Sequence, residues 1–319
     1  MRKMIGLLLF MPLCATLALM LLPNPLAHAV AADARERRFE FEYTAMVRDV
    51  PAGAKKLELW IPIPHDTPFQ KITGVQIQSP YPYKIQTAQF GNRVLHINVA
   101  NPPQANFAVV MRFDVVRREH VQERLRQANF SPAKEVVDAA NAKTDLEKAR
   151  AIYNHIVATV KYDKTGNGWG RGDIYYACDE RRGNCTDFHA IFIGYARALG
   201  IPARFSIGFP LPADAGAGQI SGYHCWAEFY LKGVGWVPVD ASEAAKDPSR
   251  REYFFGAHDE NRVEFTRGRD LVLNPRQQGE ALNYFIYPYA EIDGKPFASV
   301  DKKFSYRDQT SPTPTGGGD

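Results

Sequence analysis

Gly183-Asn184-Cys185-Thr186-Asp187-Phe188-His189, followed by Ala190 to Leu199 and closed by Gly200-Ile201-Pro202, is the stretch that decides the fold. Phe188, Ile191, Phe192, Tyr195 and Leu199 recur at steps of three and four, so the spacing predicts a helix with one apolar stripe. Asn184 is a favourable N-cap, and Asp187 three residues on completes a capping-box pattern. Gly200 suits the residue after the last turn, and Pro202 cannot continue a helix. Cys185 therefore falls in the first turn. There, unpaired backbone N–H groups and the positive end of the helix dipole stabilise a thiolate. The same N–H groups can hold an oxyanion. Two readings stand at this point: a nucleophile, or a small buried residue at a helix start.

Two later residues weigh on that choice. Gly222 to Leu231 has strand composition, with His224, Trp226, Glu228 and Tyr230 on one face and Cys225, Ala227, Phe229 and Leu231 on the other. A glycine-rich turn, Lys232-Gly233-Val234-Gly235, leads into Trp236 to Ser242, which carries Asp240. The order is thiol at a helix start, histidine on a strand, carboxylate at the end of the next. Together these supply a thiolate, its proton partner and a group to orient that partner. Register adds a condition. A two-residue turn at Gly233-Val234 would pair Asp240 with Ala227 and point it away from His224, because paired residues share a face. Bringing the two together needs an odd-length loop or a bulge, for which Gly235 is a suitable left-handed residue.

The motifs Gly-Asn-Cys-Thr-Asp-Phe-His, Gly-Ile-Pro-Ala-Arg, His-x-Trp-x-Glu and Gly-Trp-x-x-x-Asp-Ala-Ser resemble the transglutaminase-like superfamily of papain-type cysteine enzymes. The resemblance covers roughly residues 130 to 290. It implies an α+β fold whose core packs the cysteine helix on an antiparallel β-sheet, and it implies Cys185, His224 and Asp240 as a catalytic triad. The activity it implies is thiol-dependent acyl transfer on amide bonds. Water as acceptor gives a peptidase or amidase acting on a protein or cell-wall peptide. An amine acceptor gives protein cross-linking, and a secreted binding module without activity is the alternative from another class.

Length and composition suit one large or two ordinary domains: 319 residues, 45% hydrophobic and 23% charged. Arg2 and Lys3, the apolar run Met4 to Leu22 and Ala27-His28-Ala29 read as a secretory signal cleaved after Ala29. The expected location is periplasmic or secreted, without stable membrane insertion after cleavage; an uncleaved anchor is the alternative. Removing Arg2 and Lys3 lowers the net charge from +4 to +2. No basic stripe interleaved with aromatics marks a nucleic-acid surface. The mature chain keeps Cys178, Cys185 and Cys225. If Cys185 stays free, the disulfide open to the others is Cys178–Cys225; two buried thiols is the other reading.

Between residues 30 and 120, alternation in Phe39 to Val47, Leu57 to Ile61, Ile72 to Ile77, Tyr83 to Phe90, Arg93 to Val99 and Phe107 to Val116 predicts an N-terminal β-sandwich. Residues 119–130 read as a linker. Ser131-Pro132 opens a short helix, and Thr144-Asp145-Leu146-Glu147 caps a longer one. The catalytic domain is assigned to 121–300 and a disordered tail to 301–319. Gly166, Gly168, Gly170 and Gly172 make a loop directly before the thiol, a lid or one wall of the cleft, or else plain connection. They lack the pattern of a phosphate cradle. Tyr162 and Trp169 are the candidates for a second oxyanion donor beside the Cys185 N–H. Asp259-Glu260-Asn261-Arg262 reads as turns and ion pairs. A zinc site from Cys178, Cys185, His224 and Cys225 is disfavoured, because residues 224 and 225 face opposite ways and no CxxC occurs. No cofactor is expected.

Overall fold

The structure, a computed structural model, describes residues 34–122, 125 and 142–309. The expected signal sequence, the expected helix at Ser131-Pro132 and the chain beyond Gln309 lie outside these residues.

Strand β1 (Glu36–Val47) buries Phe39, Phe41, Tyr43, Ala45 and Val47 completely, so its period-two alternation becomes one inward face. Strands β2 (Lys56–Ile63), β3 (Gln70–Gln78), β4 (Tyr83–Thr87), β5 (Arg93–Ala100) and β6 (Phe107–Arg118) follow where alternation predicts them. Within the expected linker, His120–Val121 forms a short strand, β7. Helix α1 (Asp145–Thr159) starts at the capping box: Thr144 Oγ1 accepts from Glu147 N–H, and Glu147 Oε2 accepts from Thr144 N–H. Then come β8 (Lys161–Tyr162), α2 (Ile174–Glu180), β9 (Arg182–Gly183), α3 (Cys185–Ala198), β10 (Ala203–Pro210), β11 (Ala217–Gln219), β12 (His224–Leu231), β13 (Gly235–Val239), α4 (Ala241–Lys246), β14 (Ala257–His258), β15 (Arg262–Arg267), β16 (Tyr289–Ile292), β17 (Lys295–Pro296) and β18 (Val300–Asp308).

The central sheet runs β13-β12-β10-β15, antiparallel throughout, with α3 packed on β12 and β10 and flanked by α1, α2 and α4. Phe192 of α3 meets Phe229 of β12, with ring centroids 5.9 Å apart. At Gly208, which pairs with His224, a Cβ would collide with the Val263 carbonyl; glycine lets β15 close on β10 there.

Two five-stranded antiparallel sheets, β11-β18-β1-β6-β3 and β17-β16-β2-β5-β4, make the sandwich. Their membership corrects the boundaries read from sequence. Residues 301–308, expected in a disordered tail, are strand, and β18 pairs with β1 from Phe39↔Asp308 to Val47↔Val300. β16 pairs with β2, and β11 pairs with β18. The physical reason is that Phe304 and Tyr306 are the buried residues of a strand otherwise full of charge, and its partner lies far upstream. Sandwich and sheet share one apolar core: Phe41 stacks on Phe113 at 5.3 Å and lies 5.4 Å from Phe209 and 5.6 Å from Phe265.

Candidate active site

Asn184 caps α3 as its sequence predicts. Its Oδ1 accepts from Thr186 N–H at 2.8 Å, and its own N–H donates to Asp187 Oδ2 at 2.9 Å. Asp187 does more than the capping pattern implies. Its buried carboxylate also accepts from Gly170 N–H at 2.6 Å and Gly172 N–H at 3.0 Å. Gly183 leaves room for it, since a Cβ there would collide with the same carboxyl. The glycine-rich segment is thus tied to the thiol helix. The parallel pair β8–β9 closes it at both ends, setting Tyr162 opposite Gly183. The segment is less irregular than its composition suggests, because Asp173 caps α2 within it.

Cys185 is 2% exposed. Burial opposes its ionisation, but hydrogen bonds with Cys225 and His224 and the nearby imidazolium charge outweigh it, so the thiol pKa falls well below the ordinary range. His224 stands at the start of β12. The loop from β12 to β13 is three residues, Lys232-Gly233-Val234, and the register runs from Leu231↔Gly235 to Ala227↔Val239. One step further sets Asp240 opposite Trp226, on the His224 face. This is the odd-length loop the sequence condition required. His224 Nε2 and Asp240 Oδ2 are 2.7 Å apart. Burial would lower the His224 pKa, yet the charge and hydrogen bond of Asp240, joined by Cys185, push it up to about 10. Nδ1 lies 3.8 Å from Glu243 Oε1, whose charge raises the pKa further.

Asp240 is fully buried and fully partnered. Oδ2 also accepts from Arg262 Nη1 at 3.1 Å; Oδ1 accepts from Ser242 Oγ and Glu243 N–H, each at 3.1 Å. Burial raises its pKa, but His224 and then Arg262 hold it well below the usual carboxylate range. Arg262 continues outward to Asp259, 3.3 Å away, which meets Arg250 at 3.0 Å. Charges therefore alternate from the thiolate through His224, Asp240, Arg262 and Asp259 to Arg250. The segment 259–262, read as turns and ion pairs, is indeed an ion-pair set, but one whose inner end supports the site. Sequence carried no sign that Arg262 would reach Asp240.

His189 was also missed. One turn after Cys185 and fully buried, it puts Nε2 3.7 Å from Asp240 Oδ1 and Nδ1 3.8 Å from Cys225 Sγ. Burial lowers its pKa and keeps it neutral beside the charged pair. The i, i+4 spacing of Cys185 and His189 was the available signal. Tyr223, next to His224, takes a hydrogen bond from Asn184 Nδ2 and shares one with Thr186 Oγ1, both at 3.1 Å; its ring lies 5.1 Å from Tyr284.

Of the two readings left open for Cys178 and Cys225, a disulfide or two thiols, the structure has the thiols. All three are free thiols, and Cys178 Sγ lies 3.3 Å from Tyr195 Oη. Cys225 turns instead to Thr186 and to Cys185, because the face of β12 that carries it is the face α3 covers. Among the described residues, His224, Asp240 and Glu243 form a group whose donor atoms could converge on a cation. Arg262 already occupies the Asp240 oxygen that meets His224, so the donor set suits hydrogen bonding better than a metal. Glu228 shares the His224 face but pairs with Arg204 at 2.5 Å, away from the thiol.

The buried Cys185, His224 and Asp240 thus stand together at a helix start, on an antiparallel sheet, in an α+β core. Residues 133–241 match the transglutaminase-like superfamily, and the chain carries a transglutaminase-like core. An uncharacterized protein of Haemophilus influenzae is 29% identical, over 81% of this chain and 87% of that one. The crystal structure of a "putative cysteine protease" from Cytophaga hutchinsonii superposes with a TM-score of 0.56 at 15% identity, covering 88% of this chain and 93% of that one. At that identity the likeness is one of fold.

Proposed function

We propose that the protein is an exported thiol acyltransferase that hydrolyses amide bonds in a protein or cell-wall peptide. The observation that carries this reading is the buried set Cys185, His224 and Asp240, in which His224 Nε2 meets Asp240 Oδ2 at 2.7 Å, the thiol pKa is lowered and the imidazole pKa raised. Cys185 Sγ attacks the amide carbonyl, forming the S–C bond. The developing oxyanion is held by the Cys185 backbone N–H, since Thr186 N–H is already taken by Asn184 Oδ1. As the C–N bond breaks, His224 Nδ1 gives its proton to the leaving amine. Water then attacks the thioester, losing a proton to His224; the acid departs and the thiolate returns. Asp240 keeps Nε2–H in place and stabilises the imidazolium, and Arg262 keeps Asp240 ionised. The apolar run of residues 4–22 supports export, through a signal cleaved after Ala29.

The test is turnover of a peptide library by the reduced mature protein in H₂¹⁸O, with a dansylated alkyl amine present. Cleaved acids carrying ¹⁸O, absent in Cys185→Ala, support the proposal. Amine incorporation without ¹⁸O would replace hydrolysis by cross-linking. No product and no covalent trapping on Cys185 would leave a binding module.

A further inference from the structure

A cavity of about 670 Å³ opens beside the C-terminal half of α3, away from Cys185, between the sandwich and the central sheet. That volume is in the range of ligand sites. Its lining is unusual in charge: Arg197, Arg204, Arg267 and Arg269 face it, against one acid, the exposed Asp270. Arg204 is offset by Glu228 and Arg267 by Glu264. The other two have neutral partners. Arg197 donates Nε and Nη2 to the Ala203 carbonyl. Arg269 donates to the Gly172 and Arg171 carbonyls and to Asn283. Among the described residues neither meets a carboxylate. Two guanidinium charges without counter-ions therefore share one concavity, Arg197 with its Nη1 donors and Arg269 with one N–H left for an anion.

The walls are aromatic. Arg204 stacks over Trp236 at 4.0 Å. Phe90, from the sandwich, reaches over the rim, 64% exposed and in the left-handed region at φ 58°. A bulky side chain there is strained. Gly268 makes the approach possible, since a Cβ at that position would strike the Phe90 ring. A strained, exposed aromatic beside uncompensated arginines fits a site that takes chain rather than a lone ion.

We propose that this cavity is a second binding site, for an acidic peptide segment whose carboxylates meet Arg197 and Arg269 and whose backbone lies against Trp236 and Phe90. As a site for part of a polypeptide substrate it rests on the function proposed above; as a binding site it does not.

The experiment is titration of the full mature chain with a blocked hexapeptide alternating glutamate and glycine, read by calorimetry and Trp fluorescence at low salt. The glutamine counterpart is the control. The glutamate peptide is expected to bind and to weaken at least fivefold at 0.5 M salt. Arg197→Gln, which keeps a donor for Ala203, is expected to weaken it about fivefold or more. Asp270→Asn is expected to tighten it about twofold, a gain that misfolding cannot mimic. Alkylating Cys185 with iodoacetamide is expected to leave the affinity unchanged. Equal binding of both peptides, no response to Arg197→Gln and Asp270→Asn, or loss of binding on alkylation would each overturn the proposal. Only the last would leave the peptide in the Cys185 cleft, with the reaction reading intact.

Discussion

A thiol that is 2% exposed ionises at neutral pH only if its neighbours repay the loss of water, and here they do so as an alternating row. The row has a pH signature. The Cys185 thiolate persists well below the ordinary thiol range, so iodoacetamide should label it rapidly below pH 8. In His224→Ala the labelling midpoint should rise by more than one pH unit, which is about 1.4 kcal/mol per unit of lost stabilisation. At the other end His224 loses its proton near pH 10, so turnover by the ion pair should decline there. A raised histidine pKa contributes fully below the unfolded value, near 6.5, and is lost as pH rises through about 10. Asp240, depressed, contributes above its unfolded value and is lost in acid. The melting temperature of the wild type should therefore fall on both sides, and His224→Ala should flatten the alkaline side. Arg262 gives a second test. Arg262→Met leaves Asp240 and Asp259 buried with one cation fewer, and breaking a buried pair in this way costs about 3–5 kcal/mol. Urea unfolding at pH 7 measures it; a loss under 1 kcal/mol would mean that Asp240 does not depend on Arg262.

The elements show which of these contacts a sequence can announce. For Asp240, parity set a condition, an odd-length loop or a bulge, because a strand has period two; the three-residue loop meets it. The N-cap of α3 was equally legible, since capping is local. What was not legible is what crosses elements. Arg262 reaches Asp240 from β15 and His189 reaches it from α3, through a packing of helix on sheet that no spacing encodes. Asp187 stands between the two cases: its bond to Asn184 is local, its bonds to Gly170 and Gly172 are not. Those bonds fix the glycine segment as a wall beside the thiol. In Asp187→Asn one oxygen becomes a donor that faces a backbone N–H, which should cost about 2–3 kcal/mol. The loss should also be local. Amide exchange at Gly170 and Gly172 should speed up by at least tenfold, and proteases should cut between residues 164 and 172. Uniformly faster exchange across the sheet would show instead that Asp187 holds the helix and not the loop.

At the scale of the molecule the chain closes on itself. The sandwich is legible in residues 39–116 but its last members are not, because 289–300 reads as part of the catalytic domain and 301–308 as charged tail until β1 and β2 are there to pair with them. Closure has an energetic consequence. Phe304 of β18 lies 4.8 Å from Tyr43 of β1, 4.3 Å from Phe209 of β10 and 5.9 Å from Tyr287. One ring thus touches the sandwich, the central sheet and the approach to Tyr223. A cavity left there is shared by both parts, and Phe304→Ala should cost about 3–5 kcal/mol. If sandwich and core were separate domains, each with its own interior, the substitution would lower one transition and leave the other. With the main apolar cluster running through both parts, from Phe39 to Tyr306, calorimetry should show one transition before and after, shifted as a whole. Cys185 alkylation near the melting point should follow that same transition, since the core that holds β18 also holds the sheet under α3. Two resolved transitions, with the thiol following only one, would divide the molecule where the sequence first suggested, near residue 120.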